Sequence, residues 1–339
     1  MIAQAPLPSL DLLTPCRNRT EHLLTSLPSW LANPLIRQIV IVDFSSSEPL
    51  ADRIAQHTNQ REQERLRVIR VEHEALWRQG RAQNVRLQAS DADLVLKVDA
   101  NIAVGDLSGY VTAMEREPNL FFKGFSKLGT SSGLCLFRRR AGQRIGGYHD
   151  HLSGWGGDDV DFYRRLQRQQ QTFRYFEAEH FQEVTQPMQT KNSEAPRLDS
   201  HLFAAQEELI RDPYFTGCRN GILAKLLHQR RRTRLRWKLQ PGSNNFEQRA
   251  VGRSRNNRLQ PLFTYNVELA NLIAMKHYQR GSVHWPILRN DAVQTLIQNH
   301  QVVIAKGGAA RRRQLQELPE RLDRLRHLAE QLQLPLAYP

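Results

Sequence analysis

The sequence predicts an α/β protein with a mixed, mainly parallel β-sheet and helices on both faces. Two observations indicate this class. Over the first 200 residues, short runs rich in β-branched residues alternate with helical stretches, which is typical of βαβ units. Several of these runs end in polar residues, as expected where parallel strands reach one edge of a sheet. After residue 195 we predict a basic, mostly helical extension, which divides the 339 residues into segments 1–195 and 196–339.

The first half of the predicted sheet contains three strands and two helices. Leu10–Pro15 is predicted as the first strand, and leucines at helical spacing predict a helix over Glu21–Leu31. Gln38–Phe44 contains a continuous β-branched run, IVIV, as expected for a strand that is buried on both faces. A short strand at Arg67–Val71 and a helix at Gln79–Ala89 follow.

The second half adds another buried strand, Asp93–Asp99, which ends in acidic and amide residues. Glycines and serines within Phe121–Phe137 predict a hairpin. An amphipathic helix over Asp158–Gln171 and a strand over Thr172–Phe176 complete the predicted unit.

The periodic pattern weakens after Gln182. Residues 183–200 are polar and predict a linker or an active-site flap. Helices are predicted at Leu202–Arg211, Phe263–Tyr278 and Leu315–Leu332, with a polar loop over residues 240–260.

Composition excludes several classes of protein. Hydrophobic residues make up 40% of the chain, which is enough for a buried core and excludes global disorder. No run approaches the roughly 18 apolar residues of a membrane span, and the first residues lack the pattern of a signal peptide. Cys16, Cys135 and Cys218 are far apart and odd in number, so we expect no disulfide scaffold, no Cys-rich zinc site and a cytoplasmic location.

Positive charge is concentrated in the C-terminal part. The net charge is +14, and residues 201–339 contain 23 lysines and arginines against 10 aspartates and glutamates. The arginine-rich segment Arg230–Lys238 is open to three interpretations: a solvated basic helix, contact with the anionic inner face of a membrane, or binding of an acidic substrate. We do not expect a nucleic-acid partner, because aromatic residues are sparse there and no nucleic-acid motif is present.

Three polar clusters follow predicted strands. Thr14–Arg19 places two arginines on a turn, where they could bind a diphosphate or a base; a surface turn is an equal alternative. Lys97–Asn101 places two oxygen ligands, Asp99 and Asn101, where a divalent cation with phosphate partners would bind, although Asp and Asn also favour ordinary turns.

The third cluster, Gly154–Phe162, is the most specific. Its glycines permit close approach of a sugar to the backbone, and the ring of Trp155 offers a flat apolar face. Asp158 and Asp159 begin a predicted helix, where its dipole favours negative charge. A helix cap explains one aspartate but not the Trp-Gly-Gly before it.

These clusters resemble the motifs of GT-A glycosyltransferases, the Rossmann-like nucleotide-diphospho-sugar transferases. The segments TPCRNRTEHL, LKVDANI and GWGGDDVDF are similar in order and spacing to motifs of β-1,4-galactosyltransferases, and the strand-then-acid layout is similar to family 2 glycosyltransferases. The resemblance covers roughly residues 8–195. It implies a UDP-sugar donor, a divalent metal (manganese, or alternatively magnesium) and inverting transfer of a hexose such as galactose or N-acetylgalactosamine to a glycan. With the basic C-terminal segment, we expect that glycan acceptor to be anionic or lipid-linked.

The resemblance also implies roles for individual residues. Donor-binding residues would be Pro15, Arg17, Arg19, Asp43, Arg78, Arg81 and Asn84, the last three within the segment WRQGRAQN. Sugar-binding residues would be Trp155, Gly156 and Gly157. Asp158 would hydrogen-bond sugar hydroxyls, and Asp159 would be the catalytic base. Metal ligands would be Asp99, Asn101 and His180, with His201 as the weaker substitute for His180.

The chain departs from the family pattern in ways that keep two alternatives open. Asn101 replaces the second acid of the Asp-x-Asp motif, and asparagine is a neutral, weaker ligand. One alternative is a retaining transferase similar to polypeptide N-acetylgalactosaminyltransferases, which share a Trp-Gly-Gly-acid motif. The other is an inactive, basic binding protein on a GT-A scaffold.

Overall fold

The computed structural model confirms the α/β class. It describes residues 7–74, 76–183, 202, 209, 212–227, 235–242, 247–254, 260–278, 289–303, 305 and 307–334. The strands within these residues are Leu10–Cys16 (β1), Ile36–Phe44 (β2), Leu66–Val71 (β3), Leu94–Lys97 (β4), Ile102–Val104 (β5), Leu120–Lys123 (β6), Cys135–Arg138 (β7), Thr172–Tyr175 (β8), Phe181–Glu183 (β9), Leu235–Pro241 (β10) and Glu247–Ser254 (β11).

Nine of these strands form one sheet in the order β10-β11-β3-β2-β1-β4-β7-β6-β8, and β5 pairs with β9 in a separate ribbon. β1 is parallel to both β2 and β4, and β3 is parallel to β2. β7 runs antiparallel to β4 and β6. Because four central strands point the same way, the residues that follow β1, β2, β3 and β4 lie along one edge of the sheet.

Helices cover both faces of this sheet and form most of the described residues beyond residue 195. In the first part they are Thr20–Ala32 (α1), Leu50–Gln56 (α2), Gln60–Gln63 (α3), Gln79–Ala89 (α4), Ser108–Arg116 (α5), Arg139–Arg144 (α6) and Asp158–Gln167 (α7). In the second they are Pro213–Leu227 (α8), Gln260–His277 (α9), Asp291–His300 (α10), Gly308–Gln316 (α11) and Leu318–Gln331 (α12).

Two apolar cores lie on opposite faces of the sheet, and a third belongs to the C-terminal helices. One face packs Leu10, Leu12 and Ile41 with α1 residues such as Trp30. The other packs Leu13 and Val40 with residues of α4 and α7. Alternate residues of a strand point to opposite faces, which is why β1 is buried along its whole length and β2 over its last six residues.

The C-terminal part differs from prediction in two places. Residues 240–260 were expected to form a loop, but Glu247–Ser254 is a strand that pairs parallel to β3, at Glu247↔Val68 through Ala250↔Val71. Of the interpretations left open for Arg230–Lys238, a helix does not hold for its last four residues, because Leu235–Pro241 is a strand antiparallel to β11. Two strands from beyond residue 195 therefore extend the sheet of the first part.

Several features of the sequence concern residues that the structure does not describe. Most of the predicted helix Leu202–Arg211, the polar segment 184–200 and His201 lie outside the described residues, as do residues 230–234 of the arginine-rich segment. Among the helices that are described, none is both long and apolar enough to cross a membrane.

Candidate active site

The strand-tip aspartate and the paired aspartates lie next to each other in space. Lys97, the last residue of β4, is 1% exposed, and its Nζ donates a hydrogen bond to Asp159 Oδ1 at 2.7 Å. The same Nζ lies 3.7 Å from Asp99 Oδ1. Asp99 and Asp159 thus share one buried ammonium group at the edge where β4 ends, although they are distant in sequence.

Three glycines set the position of the paired aspartates. Gly154, Gly156 and Gly157 all have positive φ angles, of 72°, 87° and 86°, which residues with a Cβ rarely adopt. This backbone lets the chain turn sharply into α7, which begins at Asp158. Asp158 and Asp159 therefore occupy the first turn of the helix, where the helix dipole stabilises negative charge.

A second buried cation lies near this cluster. Arg86 of α4 is fully buried, and none of its guanidinium nitrogens has a hydrogen-bond partner. Burial lowers the Arg86 pKa to about 10, against the opposing effect of Tyr148 and Asp99. Tyr148 contacts both flanking helices, because its backbone bonds to Asn84 of α4 and its ring stacks on Phe162 of α7 at 4.1 Å.

The paired aspartates, Asp158 and Asp159, both have raised pKa values. Burial raises the Asp159 pKa to about 8, and the negative charges of Asp158 and Asp99 add to this effect while Lys97 opposes it. Burial likewise raises the Asp158 pKa. For Lys97 burial acts to lower the pKa, but the surrounding carboxylates outweigh it and the net shift is upward. Both partners of the ion pair therefore have raised pKa values: that of Asp159 because the carboxyl group is buried, and that of Lys97 because carboxylates surround its ammonium group.

Part of the predicted donor-binding segment instead connects α4 to the loop before Gly154. Asn84 Nδ2 donates to Tyr148 O at 2.9 Å and to Asp150 Oδ1 at 2.7 Å. Arg81 Nε donates to Asp150 O, while its NH1 pairs with both carboxylate oxygens of Glu74 at 2.9 Å. Arg78 NH1 lies 3.4 Å from His151 O. These contacts fix the polypeptide that leads into the glycines.

The remaining predicted donor residues follow β1 and β2. Asp43, at the end of β2, is 1% exposed, and its oxygens accept bonds from Ser46 N, Leu50 N and Arg70 NH1. Its carboxylate therefore has internal partners. Arg17 NH1 donates to Glu74 O at 2.8 Å. Pro15 is buried within β1, whereas Arg19 is partly exposed.

The predicted metal ligands do not all meet. Asn101 Nδ2 lies 3.3 Å from Glu183 Oε1, beside the Ile102↔Glu183 pair of the β5–β9 ribbon. His180 is at the other end of this ribbon, where its carbonyl accepts a bond from Gly105 N. Three residues of extended chain separate Ile102 from Gly105, which corresponds to about 10 Å. The structure therefore does not place His180 beside Asp99 and Asn101.

Two sets of side chains have the chemistry to hold a divalent cation. Asp99 and Asn101 at the strand tip, with Glu183 next to Asn101, offer the oxygen ligands that hard cations prefer. At the other end of the ribbon, the ligand atoms of Glu177, Glu179 and His180 lie within 4.8 Å of one another. The Nδ1 atom of His180 also bonds to the Tyr110 hydroxyl at 2.7 Å.

Sequence reasoning left Lys97 without a role and missed Arg86 and Glu183. Lys97 carried a recognisable signal, because it is a charged residue inside the otherwise apolar strand LVLK, and a buried lysine requires an acidic partner. Arg86 carried none, because an arginine in a helix with several polar neighbours is usually exposed.

Comparison with known proteins agrees with the motif analysis over part of the chain. The profile of a family described as the N-terminal domain of galactosyltransferase matches residues 109–187, which include the glycines, Asp158 and Asp159. No curated protein sequence matches the chain.

Several solved structures are similar in overall chain trace at low identity. A mannosyltransferase from Pyrobaculum calidifontis, in complex with GDP-Man and Mn2+, is 12% identical with a TM-score of 0.48, covering 96% of this chain and 87% of its own. Residues 1–349 of S. aureus TarS are 14% identical with a TM-score of 0.44, covering 88% of this chain and 95% of that structure. The catalytic domain of Drosophila β1,4-galactosyltransferase 7, in complex with xylobiose, is 15% identical with a TM-score of 0.43. The match covers 74% of this chain and 96% of that domain.

The family match confirms the resemblance that the Gly154–Phe162 motif indicates. The mainly parallel sheet, with that motif at the edge where β4 ends, agrees with it. Over residues 109–187 the chain is similar to the galactosyltransferase family, and its assignment as a glycosyltransferase is confirmed at this level.

Proposed function

We propose that the chain is a metal-dependent, inverting glycosyltransferase that moves a hexose, galactose or N-acetylgalactosamine, from a UDP-sugar to a hydroxyl group of a glycan. The observation that carries this proposal is the shared contact of Lys97 with Asp159 and Asp99. Asp159, the proposed base, and Asp99, the proposed cation ligand, both approach the same ammonium group. Their proximity supports the proposal.

Asp159 is the proposed general base. Its side chain is 16% exposed, so a substrate hydroxyl can approach the oxygen that Lys97 does not occupy. The carboxylate takes the proton of the acceptor hydroxyl group while the oxygen of that hydroxyl group attacks the anomeric carbon of the donor sugar. The bond from this carbon to the diphosphate breaks, UDP leaves with the electron pair, and the anomeric configuration inverts. A base with a pKa near the working pH is well suited to this task.

Asp158 is the proposed partner of sugar hydroxyls. Its Oδ2 atom is buried without a hydrogen-bond partner, and an unsatisfied buried carboxylate oxygen is costly unless a ligand bonds to it. Trp155, Gly156 and Gly157 would line the sugar site next to it. Asp158 thus has an acceptor available where a sugar hydroxyl could donate.

Charge on the leaving diphosphate would be offset from two sides. Arg17 and Arg19 follow β1 at the same edge as Asp99, and the arginine side chain suits phosphate recognition. A divalent cation, when bound, would supply electrostatic stabilisation of the departing diphosphate. We assign this cation to Asp99 and Asn101, with Glu183 as a neighbouring ligand, rather than to the cluster around His180.

The proposal is tested by UDP release over a panel of UDP-sugars, with Mn2+, with Mg2+ and in EDTA. We expect release that depends on an acceptor glycan and on the cation, and an inverted anomer in the product. A retained anomer would favour the retaining alternative. The absence of any release, with every sugar and cation, would favour an inactive binding protein.

The acceptor is proposed to be anionic or lipid-linked, because positive charge is concentrated beyond residue 200. Contact of Arg230–Lys238 with an anionic membrane at the cytoplasmic face remains a prediction. Flotation with vesicles that contain phosphatidylserine tests it, and binding that persists at high salt would contradict an electrostatic attachment.

A further inference from the structure

A helix from the C-terminal part contacts the glycine-rich turn directly. We call Ser153–Gly157 the glycine loop. α8, Pro213–Leu227, lies beyond the segment matched by the family profile. Three neighbouring residues on α8, namely Thr216, Arg219 and Asn220, are each no more than 2% exposed, and all three side chains bond to the glycine loop.

These bonds go mainly to backbone carbonyl groups. Thr216 Oγ1 lies 3.0 Å from Trp155 O and 3.1 Å from Pro213 O, so its one proton is shared between the loop and the first turn of α8. Asn220 Nδ2 donates to Ser153 O at 3.0 Å and to Gly156 O at 2.8 Å. The Arg219 guanidinium group donates to Ser153 O and to its hydroxyl oxygen. Three carbonyl groups of a five-residue loop thus accept bonds from one helix.

The loop also fits closely against the helix. A Cβ atom at Gly157 would lie 2.7 Å from Asn220 Cβ and 3.1 Å from Gly221 N. Gly157 is therefore required for its positive φ and for the close approach of α8. The backbone of the loop also bonds to the first part of the chain, where Gly154 N donates to Trp77 O at 3.1 Å. The contacts with α8 hold the other side of the loop, around Trp155, Gly156 and Gly157.

α8 is itself held by the C-terminal helices. Phe215 and Ile222 of α8 are fully buried in a core with Leu269 and Ile273 of α9, and the rings of Phe215 and Tyr278 meet edge to face at 5.7 Å. This core is separate from the two cores of the sheet. The position of the glycine loop is therefore linked to the packing of helices outside the sheet.

We propose that Thr216 and Asn220 are positioning residues that fix the glycine loop and thereby set the affinity of the site for the sugar moiety. This inference rests on the proposed function, because it assigns Trp155 to the sugar. It gives the C-terminal part a specific role: α8 supports the sugar side of the site, while residues that follow β1 and β2 form the nucleotide side.

Isosteric substitutions separate positioning from folding. Asn220→Asp keeps the Oδ1 atom, which accepts a bond from Arg219, but removes both donors to the loop. Thr216→Val removes the donor to Trp155 O, and Thr216→Ser keeps a hydroxyl group. Asn290→Asp is the matched control, because Asn290 is an exposed helix cap where Asp is equally effective.

We expect Asn220→Asp and Thr216→Val to raise the KM for the UDP-sugar by about tenfold, as expected for loss of a hydrogen bond next to the ligand. The Kd for UDP alone should stay unchanged, and Thr216→Ser should restore the KM. A merely structural role would instead lower the amount of active enzyme, and therefore kcat, at unchanged KM. That result, or wild-type kinetics in both variants, would overturn the inference.

Hydrogen exchange of the backbone amides of residues 153–157 tests the positioning of the loop without any measurement of enzyme activity. Faster exchange in Asn220→Asp, with the rest of the chain unchanged, supports positioning by α8, and unchanged exchange overturns it. If the wild-type chain transfers no sugar at all, the proposed function fails, and the exchange measurement still decides whether α8 positions the loop.

Discussion

The Nζ atom of Lys97 lies 2.7 Å from Asp159 and 3.7 Å from Asp99. Lys97 and Asp159 are 62 residues apart in sequence, so this ion pair joins the end of β4 to the start of α7. The proposed chemistry depends on this connection, because it places a base and a cation-binding carboxylate at one site.

Asp159→Asn should abolish most of the transfer. The amide keeps the shape of the side chain and a contact with Lys97, but it cannot take a proton from the hydroxyl group of the glycan. We therefore expect kcat to fall by a factor of roughly 10²–10⁴. UDP affinity, measured by calorimetry, should change little. Asp323→Asn, at a well exposed position on α12, controls for loss of a carboxylate. Near-normal turnover in Asp159→Asn would contradict its role as base.

Lys97→Met should destabilise the fold and disturb the site together. Removing the ammonium group leaves Asp159 without its cation in a buried environment, which costs on the order of 3–5 kcal/mol in the free energy of unfolding. The double variant Lys97→Met/Asp159→Asn should lose less than the sum of the single variants. Urea unfolding of the four proteins measures this coupling, and strictly additive losses would show that the pair contributes nothing specific.

Gly133→Ala should displace the strand-tip aspartate. A Cβ atom at Gly133 would lie 2.4 Å from Asp99 Oδ2, so the flexible carboxylate must move. We expect weaker binding of the UDP-sugar in the presence of Mn2+ and a smaller effect in EDTA. Gly109→Ala is the control, since nothing lies within 4 Å of a Cβ there and alanine in α5 should stabilise by about 0.5–1 kcal/mol. Equal affinities in the presence and absence of Mn2+ for both variants would argue against a cation at Asp99.

The pH dependence of stability should reveal the raised pKa of Asp159. The folded pKa is about 8, above the usual value near 4, so the folded state binds more protons than the unfolded state between these values. The free energy of unfolding should therefore fall as the pH rises from about 4 to about 8. Denaturant unfolding in EDTA at several pH values measures this slope, and Asp159→Asn should flatten it. Parallel curves for the two proteins would contradict the assignment.

Much of the sheet could be predicted because its central strands are buried on both faces. The short apolar runs within β2 and β4 are typical of strands that are buried on both faces of a sheet. The helices beside them repeat apolar residues at helical spacing. β10 and β11 could not be predicted. Their sequences, LRWKLQP and EQRAVGRS, are polar because they lie towards the edge of the sheet. The pairing of β11 with β3, and of β10 with β11, is set by tertiary contacts.

The site was predictable where a local motif carries it. The glycines, Trp155 and the aspartates at the start of α7 form one continuous segment with a specific backbone requirement. Contacts between distant segments were not predictable, since neither the bonds from Asn220 to the glycine loop nor the separation of His180 from Asn101 leaves a local signal. The partners of Asp43 show the same limit, because a strand-end aspartate can bond to a ligand or to its own chain.

A crystal structure of the chain with UDP and Mn2+, with anomalous data for manganese, tests the central assignment most directly. The account predicts the Mn2+ peak between Asp99 and the diphosphate, with Asp159 facing the position of the sugar. A manganese peak at Glu177, Glu179 and His180 without one at Asp99, or a diphosphate bound away from the β4 edge, would contradict it.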